Sequence, residues 1–460
     1  MTRLAIRGGT VVAESGALRA DLIIEDGLIE AIVEPGDGSV DEEIDSTGLL
    51  VLPGGVDVHT HMDSPSGKGH TTDTHLTGTR AAAAGGTTTV VDFAPQSAGE
   101  TLPALAERWS EKMAGECAID YSFHATVSSW YDGITDDMGR LVDAGISSFK
   151  VYMAYKGAVM IDDGQLFQVL SASAEFGSRV CIHAENGDVI DVIADRLVSE
   201  GKVAPRYHLP ARPGLTEAEA VHRALVIAEL TGGYPYLVHM SAAESLDHIR
   251  RAKERGVPVV AETCTHYLTL DQSVYDSDDF DVARYVLTPP IKSQRDRDCL
   301  WGGIADGTLS IVSSDHCPLC LVGQKDLGKG DFRDIPNGGP GVENRVLVLF
   351  SEGVAQNRIT LERFVEIVST EPARAFGLYP KKGVIAQGSD ADLLILDPNG
   401  MTDISASAQY QNVDYNLWEG WELKGKINKV LSRGVVVASD GEYVGPAGHG
   451  EFIPRKAVAR

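Results

Sequence analysis

Eight short apolar runs punctuate the middle of this chain, at residues 56–59, 87–93, 121–126, 148–152, 180–183, 236–239, 257–263 and 309–314, with helix-patterned stretches between them. Each has the length of a strand, not of a helix. Runs that are apolar on both faces belong to a parallel sheet buried on both sides, and helices must then cover it. Eight such units fit a closed parallel (β/α)8 barrel. The competing arrangement is a doubly wound open sheet, which gathers its polar site at one crossover. Here polar residues of metal-binding type follow several different runs, so the barrel is expected.

The connecting segments carry their own end signals. Thr216, with Glu219 three residues later, reads as a capping box opening the helix TEAEAVHRALVIAEL. Ser241, with Glu244 following, opens SAAESLDHIRRAKERG, which places Leu246, Ile249 and Ala252 on one stripe and ends at Gly256. Thr360 begins another apolar-periodic helix through Phe364, Ile367 and Val368. Residues 320–341 read as a long irregular loop, and such loops inside a compact domain are usually functional. Both ends of the chain read as short strands, with Glu25-Asp26-Gly27 as a hairpin turn. These ends are expected to pair into one sheet domain, dividing the chain into 1–52, 53–378 and 379–460.

Composition narrows the function classes. With 43% apolar and 23% charged residues the chain is globular and not mostly disordered. A formal charge of −26 opposes nonspecific binding to nucleic acid or to an anionic membrane. The first residues lack a secretion signal and no apolar stretch is long enough to span a bilayer, so a cytoplasmic protein is expected. Six cysteines are too few for a disulfide framework in 460 residues, and Cys317 with Cys320 reads as local packing. No GxGxxG or Walker A pattern occurs, so no nucleotide cofactor is expected.

The chemistry sits at the ends of the runs. His59 and His61 are two residues apart, so on a strand both point to one side and could hold a metal through imidazole nitrogen. Taken alone, the pair is better explained by two hydrogen-bonded histidines. His183, His239 and Asp315 close three further runs, and Lys150 lies within another. An unpaired ammonium facing a barrel interior is costly. A lysine carbamylated by carbon dioxide instead presents an anion with two oxygens, able to bridge two cations; a salt-bridged or snorkelling lysine is the plainer explanation of Lys150 by itself. Six such residues converging from several strands are what an active site at the mouth of a TIM barrel requires. Glu185 could orient His183, and His124 could stand behind the site, whereas His266 and His316 could lie near the mouth. His70, His75, His222 and His248 read as loop or helix-surface groups.

The motifs GGVDVHTHMD, GTRAAAAGGTTTVVDF, SSFKVYMAYKG, IHAEN, VHMSAAESL, ETCTHYL, TPPIK, SSDHCP, IPNGGPGVENR and NVDYNLWEGWELKG occur along essentially the whole chain. Together they resemble the hydantoinase/dihydropyrimidinase branch of the cyclic amidohydrolases, within the metal-dependent amidohydrolase superfamily. The resemblance implies a TIM (β/α)8 barrel with a β-sandwich formed from the N- and C-terminal segments. It also implies two divalent metal ions, zinc by family habit, and hydrolytic opening of a hydantoin or dihydropyrimidine to an N-carbamoyl amino acid.

By the same resemblance, His59, His61, Lys150 and Asp315 hold the more buried metal, and N6-carboxylated Lys150 with His183 and His239 holds the second. A hydroxide between the metals attacks the ring carbonyl, Asp315 shuttles its proton, and Tyr155 stabilises the oxyanion. Thr288 and Asn337 hold the imide edge mainly through backbone groups. Met62, Ser64, Pro65, Ser66, Val159 and Met160 resemble the loops around the exocyclic substituent, although 64–67 departs from the bulky apolar pattern common there. Dihydroorotases commonly carry arginine where this chain has Asp63. Allantoinase or a hydrolase of another cyclic imide is the enzymatic alternative; scaffold relatives of this fold have lost ligands that this chain keeps. A homotetramer is expected, with a dimer as alternative, and the segment around Trp418 and Trp421 is expected to present apolar side chains to that assembly.

Overall fold

The computed structural model describes residues 3–14 and 16–458. Eight parallel strands follow one another around a barrel: β1 (Gly55–Thr60), β2 (Thr87–Ala94), β3 (Asp120–Thr126), β4 (Ser148–Tyr152), β5 (Arg179–His183), β6 (Tyr234–Leu237), β7 (Val260–Cys264) and β8 (Ile311–Ser313). The expected barrel is therefore present, with each strand within a few residues of its apolar run. The ring closes where Thr60 bridges His316 and where His61 N donates to His316 O at 2.8 Å. Lower down, the fully buried Arg345 donates to Val312 O on β8 and Thr87 Oγ1 on β2. Val56, Val58, Val91, Cys181, Tyr236 and Ile311 pack the interior, and Phe376 and Ile453 plug its N-terminal end.

The chain ends meet in a second unit of two sheets. In the larger, Leu50–Pro53 pairs antiparallel with Leu393–Asp403, and Thr10–Ala13 and Glu422–Ser432 flank that pair. The smaller sheet comes wholly from residues 4–45, and Asp26 and Gly27 adopt the positive φ that a tight hairpin turn needs. Leu22, Ile24, Val51, Leu393, Ile395 and Leu431 form the core between the two sheets.

Three local expectations are corrected. The helix credited to a Thr216 cap begins at Gly214, because Pro213 precedes it with a preset φ; Thr216 Oγ1 donates back to Pro213 O at 2.7 Å. Ser241 caps nothing either. The helix Ala243–Glu254 receives its N-terminal acceptors from distant carboxylates, Glu217 at Ala242 N and Asp296 at Ala243 N, while Ser241 Oγ donates to Glu217. Finally, Trp418 is fully buried within its own chain and donates to Thr269 Oγ1 at 2.9 Å, so the 412–425 segment docks on its own barrel and Trp418 offers nothing to a partner. Among the described residues no helix is long and apolar enough to cross a membrane.

Candidate active site

His59, His61, Lys150, Tyr155, His183, His239, Thr288, Asp315 and Asn337 all line one cavity of about 530 Å³ at the C-terminal mouth of the barrel. Strand geometry brings the first part together: His59 lies on β1 with His61 just beyond its end, Lys150 on β4, and His183 ends β5. The rest depends on turns. His239 and Asp315 each stand two residues past a strand end, at φ 44° and 49°, and Tyr155 stands at φ 69°. Non-glycine residues in the left-handed region cost roughly 1–3 kcal/mol each and cluster where function holds them.

Two groupings of potential ligand atoms result. His59 Nε2, His61 Nε2 and Asp315 can bring one ligand atom each within 4.8 Å of the others, with Asp315 Oδ1 at 3.0 and 3.4 Å from the two histidine nitrogens. Beside them, His183 Nδ1 faces His239 Nε2 at 2.9 Å. The buried His59 Nε2 has the Asp315 carboxylate beside it at 3.0 Å but out of hydrogen-bonding alignment, an arrangement that a cation between them would satisfy. Imidazole nitrogens plus carboxylate oxygen form a donor set that suits zinc, so the residues present fit the implied metals. Lys150 Nζ lies over the rings of Phe93 and Tyr152 at 4.7 and 4.9 Å. Burial pushes its amine down to about 8.

Partners behind these groups fix their orientation. His59 Nδ1 bonds Glu262 Oε1, and Glu262 also accepts from Tyr236 Oη, Ser313 Oγ and the backbone N of His239. One buried carboxylate thus aligns parts of β1, β6, β7 and β8. Glu185 Oε2 lies 2.9 Å from His183 Nε2 and accepts from Arg212 at 2.6 Å. Burial would raise the Glu185 carboxyl, but the Arg212 charge and the His183 hydrogen bond outweigh it and bring it to about 2. Burial raises the Tyr155 hydroxyl to about 12, so it remains a neutral donor near neutral pH.

Glu262 and Arg212 escaped sequence reasoning. Glu262 carried a readable signal, since a carboxylate inside the run VPVVAET must have buried partners. Arg212 lies in a short helical connection and carried none. His75 is corrected: it is buried against Trp109, with Nε2 3.4 Å from Asp92 Oδ2, and is not a surface group. His124 lies behind the site, His266 lines the cavity, and the rings of His222 and His248 meet, tilted, at 4.8 Å on neighbouring helices. Ser64, Pro65, Ser66 and Val159 line the outer cavity, whereas Met62 packs against the helix at Gly78. Asp63 turns to Lys112 at 3.1 Å. Cys317 and Cys320 are free thiols.

An eight-stranded parallel barrel whose mouth gathers His59, His61, His183, His239, Lys150 and Asp315 around one cavity defines a metal-dependent hydrolase of the amidohydrolase type. The chain belongs to the amidohydrolase family, whose profile matches residues 50–437, and to its hydantoinase/dihydropyrimidinase branch. It is 45% identical to D-hydantoinase of Streptomyces coelicolor, over 99% of this chain and 98% of that protein. D-hydantoinase of Geobacillus stearothermophilus is also 45% identical, over 99% and 97%. The crystal structure of dihydropyrimidinase from Brevibacillus agri superposes with a TM-score of 0.97 at 44% identity, covering 100% of both chains.

Proposed function

We propose that this chain opens a hydantoin or dihydropyrimidine ring to an N-carbamoyl amino acid, and that it does so at the barrel mouth. The activity class is that of a cyclic amidohydrolase, in keeping with the family and with relatives that span the whole chain. His59, His61 and Asp315 would hold one divalent ion, His183 and His239 a second, with carboxylated Lys150 shared between them. When bound, two such ions polarise the scissile carbonyl and lower the pKa of water. The observation that carries the reading is Asp315: its left-handed turn brings Oδ1 within 3.4 Å of both His59 and His61, inside the cavity that Tyr155 enters.

The chain's own groups then have defined tasks. Asp315 Oδ1 takes the proton of the attacking water and returns it to the departing ring nitrogen. The neutral Tyr155 hydroxyl donates to the oxygen that becomes negative. Thr288 and Asn337 present backbone groups to the imide edge; Ser66 Oγ already donates to Asn337 O at 2.9 Å, which braces that loop. Hydantoin, dihydrouracil and allantoin, assayed by release of the ring-opened product, test the substrate assignment: turnover of allantoin alone would reject it. Tyr155→Phe is expected to keep its metal and lower kcat by about 10²–10³-fold, the usual effect of removing one oxyanion donor. Metal loss measured in that variant would show a structural role instead.

We also propose a homotetramer, with a dimer as the alternative. Because Trp418 is buried within its own chain, the support comes from elsewhere. Phe167, Val189, Val192, Leu215, Val226 and Leu230 are exposed on the helices Asp163–Phe176, Gly187–Ser199 and Gly214–Thr231, of which the first and last pack together. We take these exposed side chains, on helices that pack side by side, as one interaction face. Light scattering should give four subunit masses, and Leu230→Glu with Val192→Glu should reduce that number. A parent that scatters as a monomer at micromolar concentration rejects the assembly.

A further inference from the structure

Residues 451–458 run as a strap under the N-terminal end of the barrel. Tyr121 N donates to Glu451 O, Ile453 N to Tyr121 O, Arg455 N to Gly145 O and Val458 N to Gly177 O. The strap lies against a weak seam. Strands β3 and β4 share only two register pairs, Ala125 with Phe149 and Thr126 with Lys150, whereas β2 and β3 share six and β4 and β5 share five. Below Ala125 the backbones of β3 and β4 are not paired, and the Arg455 side chain joins them there. Its Nε donates to Ser122 Oγ on β3 at 2.8 Å and its Nη1 to Ser148 Oγ on β4 at 2.6 Å, while Nη2 bonds Phe123 O. The residue is 3% exposed. Burying a guanidinium is costly, so its three acceptors must be well placed for the arrangement to persist.

From this staple a continuous set of contacts leads to the barrel mouth. Ser148 Oγ lies 2.6 Å from His124 Nδ1, and His124 Nε2 lies 3.0 Å from Val58 O on β1. The His124 ring stacks on Phe93 at 4.5 Å. Phe93 in turn meets the rings of His59 and His61 at 4.8 and 5.1 Å and lies 4.7 Å from Lys150 Nζ. Ser148 and Lys150 are two residues apart on β4, so both face the barrel interior. We propose that Arg455 is a positioning residue for the metal site: it pins the open β3–β4 seam and, through Ser148, His124 and Phe93, sets where Lys150, His59 and His61 stand. This rests on the reading of those three residues as ligands. Only an arginine fork reaches all three acceptors at once, and a lysine would reach fewer.

Two variants test it, Arg455→Met and the double variant Ser122→Ala/Ser148→Ala, which leaves the strap's own backbone bonds in place. Zinc per chain is measured after dialysis against a weak chelator, with kcat, KM on hydantoin and melting temperature alongside. Residues that orient ligands without touching metal typically cost 10–100-fold, so kcat should fall by about 10-fold or more with KM within about 2-fold, and zinc per chain should fall at least about 2-fold relative to the parent. A folded R455M that keeps parental zinc and kcat overturns the proposal, whatever its melting temperature, because Arg455 then serves the fold alone. If R455M is not recovered folded, the serine pair decides by the same criteria. Lys150→Ala separates the two levels. Should K150A keep its metal, the ligand reading fails; should K150A lose metal while R455M keeps it, only the role of Arg455 fails.

Discussion

Lys150→Ala is expected to lose metal and turnover together, with activity falling by more than about 100-fold, the upper end of what groups one layer further from a metal cost. Lys150 is 1% exposed, and this burial disfavours its ammonium even though Nζ stands over two aromatic rings that attract a cation. An amine that burial holds near 8 is more available to carbon dioxide than an ordinary lysine. The resulting carbamate would exchange an ill-placed cation for an anion between His59–His61–Asp315 on one side and His183–His239 on the other. Short carboxylic acids should restore part of the activity of K150A by supplying the missing oxygens. A high-resolution map of the metallated, active protein should show carboxylate density beyond Nζ; a free ammonium there would remove the bridging role.

The second large effect is expected at Asp315. Asp315→Asn should fold normally and lose about 10²–10⁴-fold in kcat, the range for removal of a positioned acid–base group. Asparagine preserves the shape and tolerates the left-handed φ of 49° better than most residues, so the turn should survive. What is lost is the capacity to accept and return a proton. Zinc analysis must accompany the kinetics, because Asp315 also stands in the ligand set. A fully metallated D315N with near-parental turnover would falsify the shuttle role.

The barrel was legible because its signal is local and repeated. A strand buried on both faces must be apolar throughout, and only helices can cover it, so runs of four to seven residues between helical stretches announce the architecture without any tertiary knowledge. The cavity-lining polar residues were legible for the related reason that charge inside such a run needs an explanation. Thr360 does cap its helix, but the caps expected at Thr216 and Ser241 were not legible. At Ser241 the sequence offers a hydroxyl with a glutamate following, yet the helix takes its acceptors from Glu217 and Asp296, which are remote in sequence and present only once the chain has folded. Trp418 failed for a similar reason: an apolar tail must be covered, but composition does not say whether its own barrel or another subunit covers it.

The sequence by itself determined which side chains were available and that strand ends would carry them to one face, because side-chain alternation and strand direction are properties of a few consecutive residues. Tertiary structure decided how those side chains are aimed. His239 and Asp315 reach the cavity only through left-handed turns beyond their strands, and His59 is oriented by Glu262, a residue 203 positions away. Arg455 enters the β3–β4 seam more than 300 positions after Ser148, the residue it meets there. Such contacts bring together groups whose pairing leaves no periodicity in the chain; they are fixed by the need to satisfy every buried charge and hydrogen-bonding atom once the barrel has closed around them.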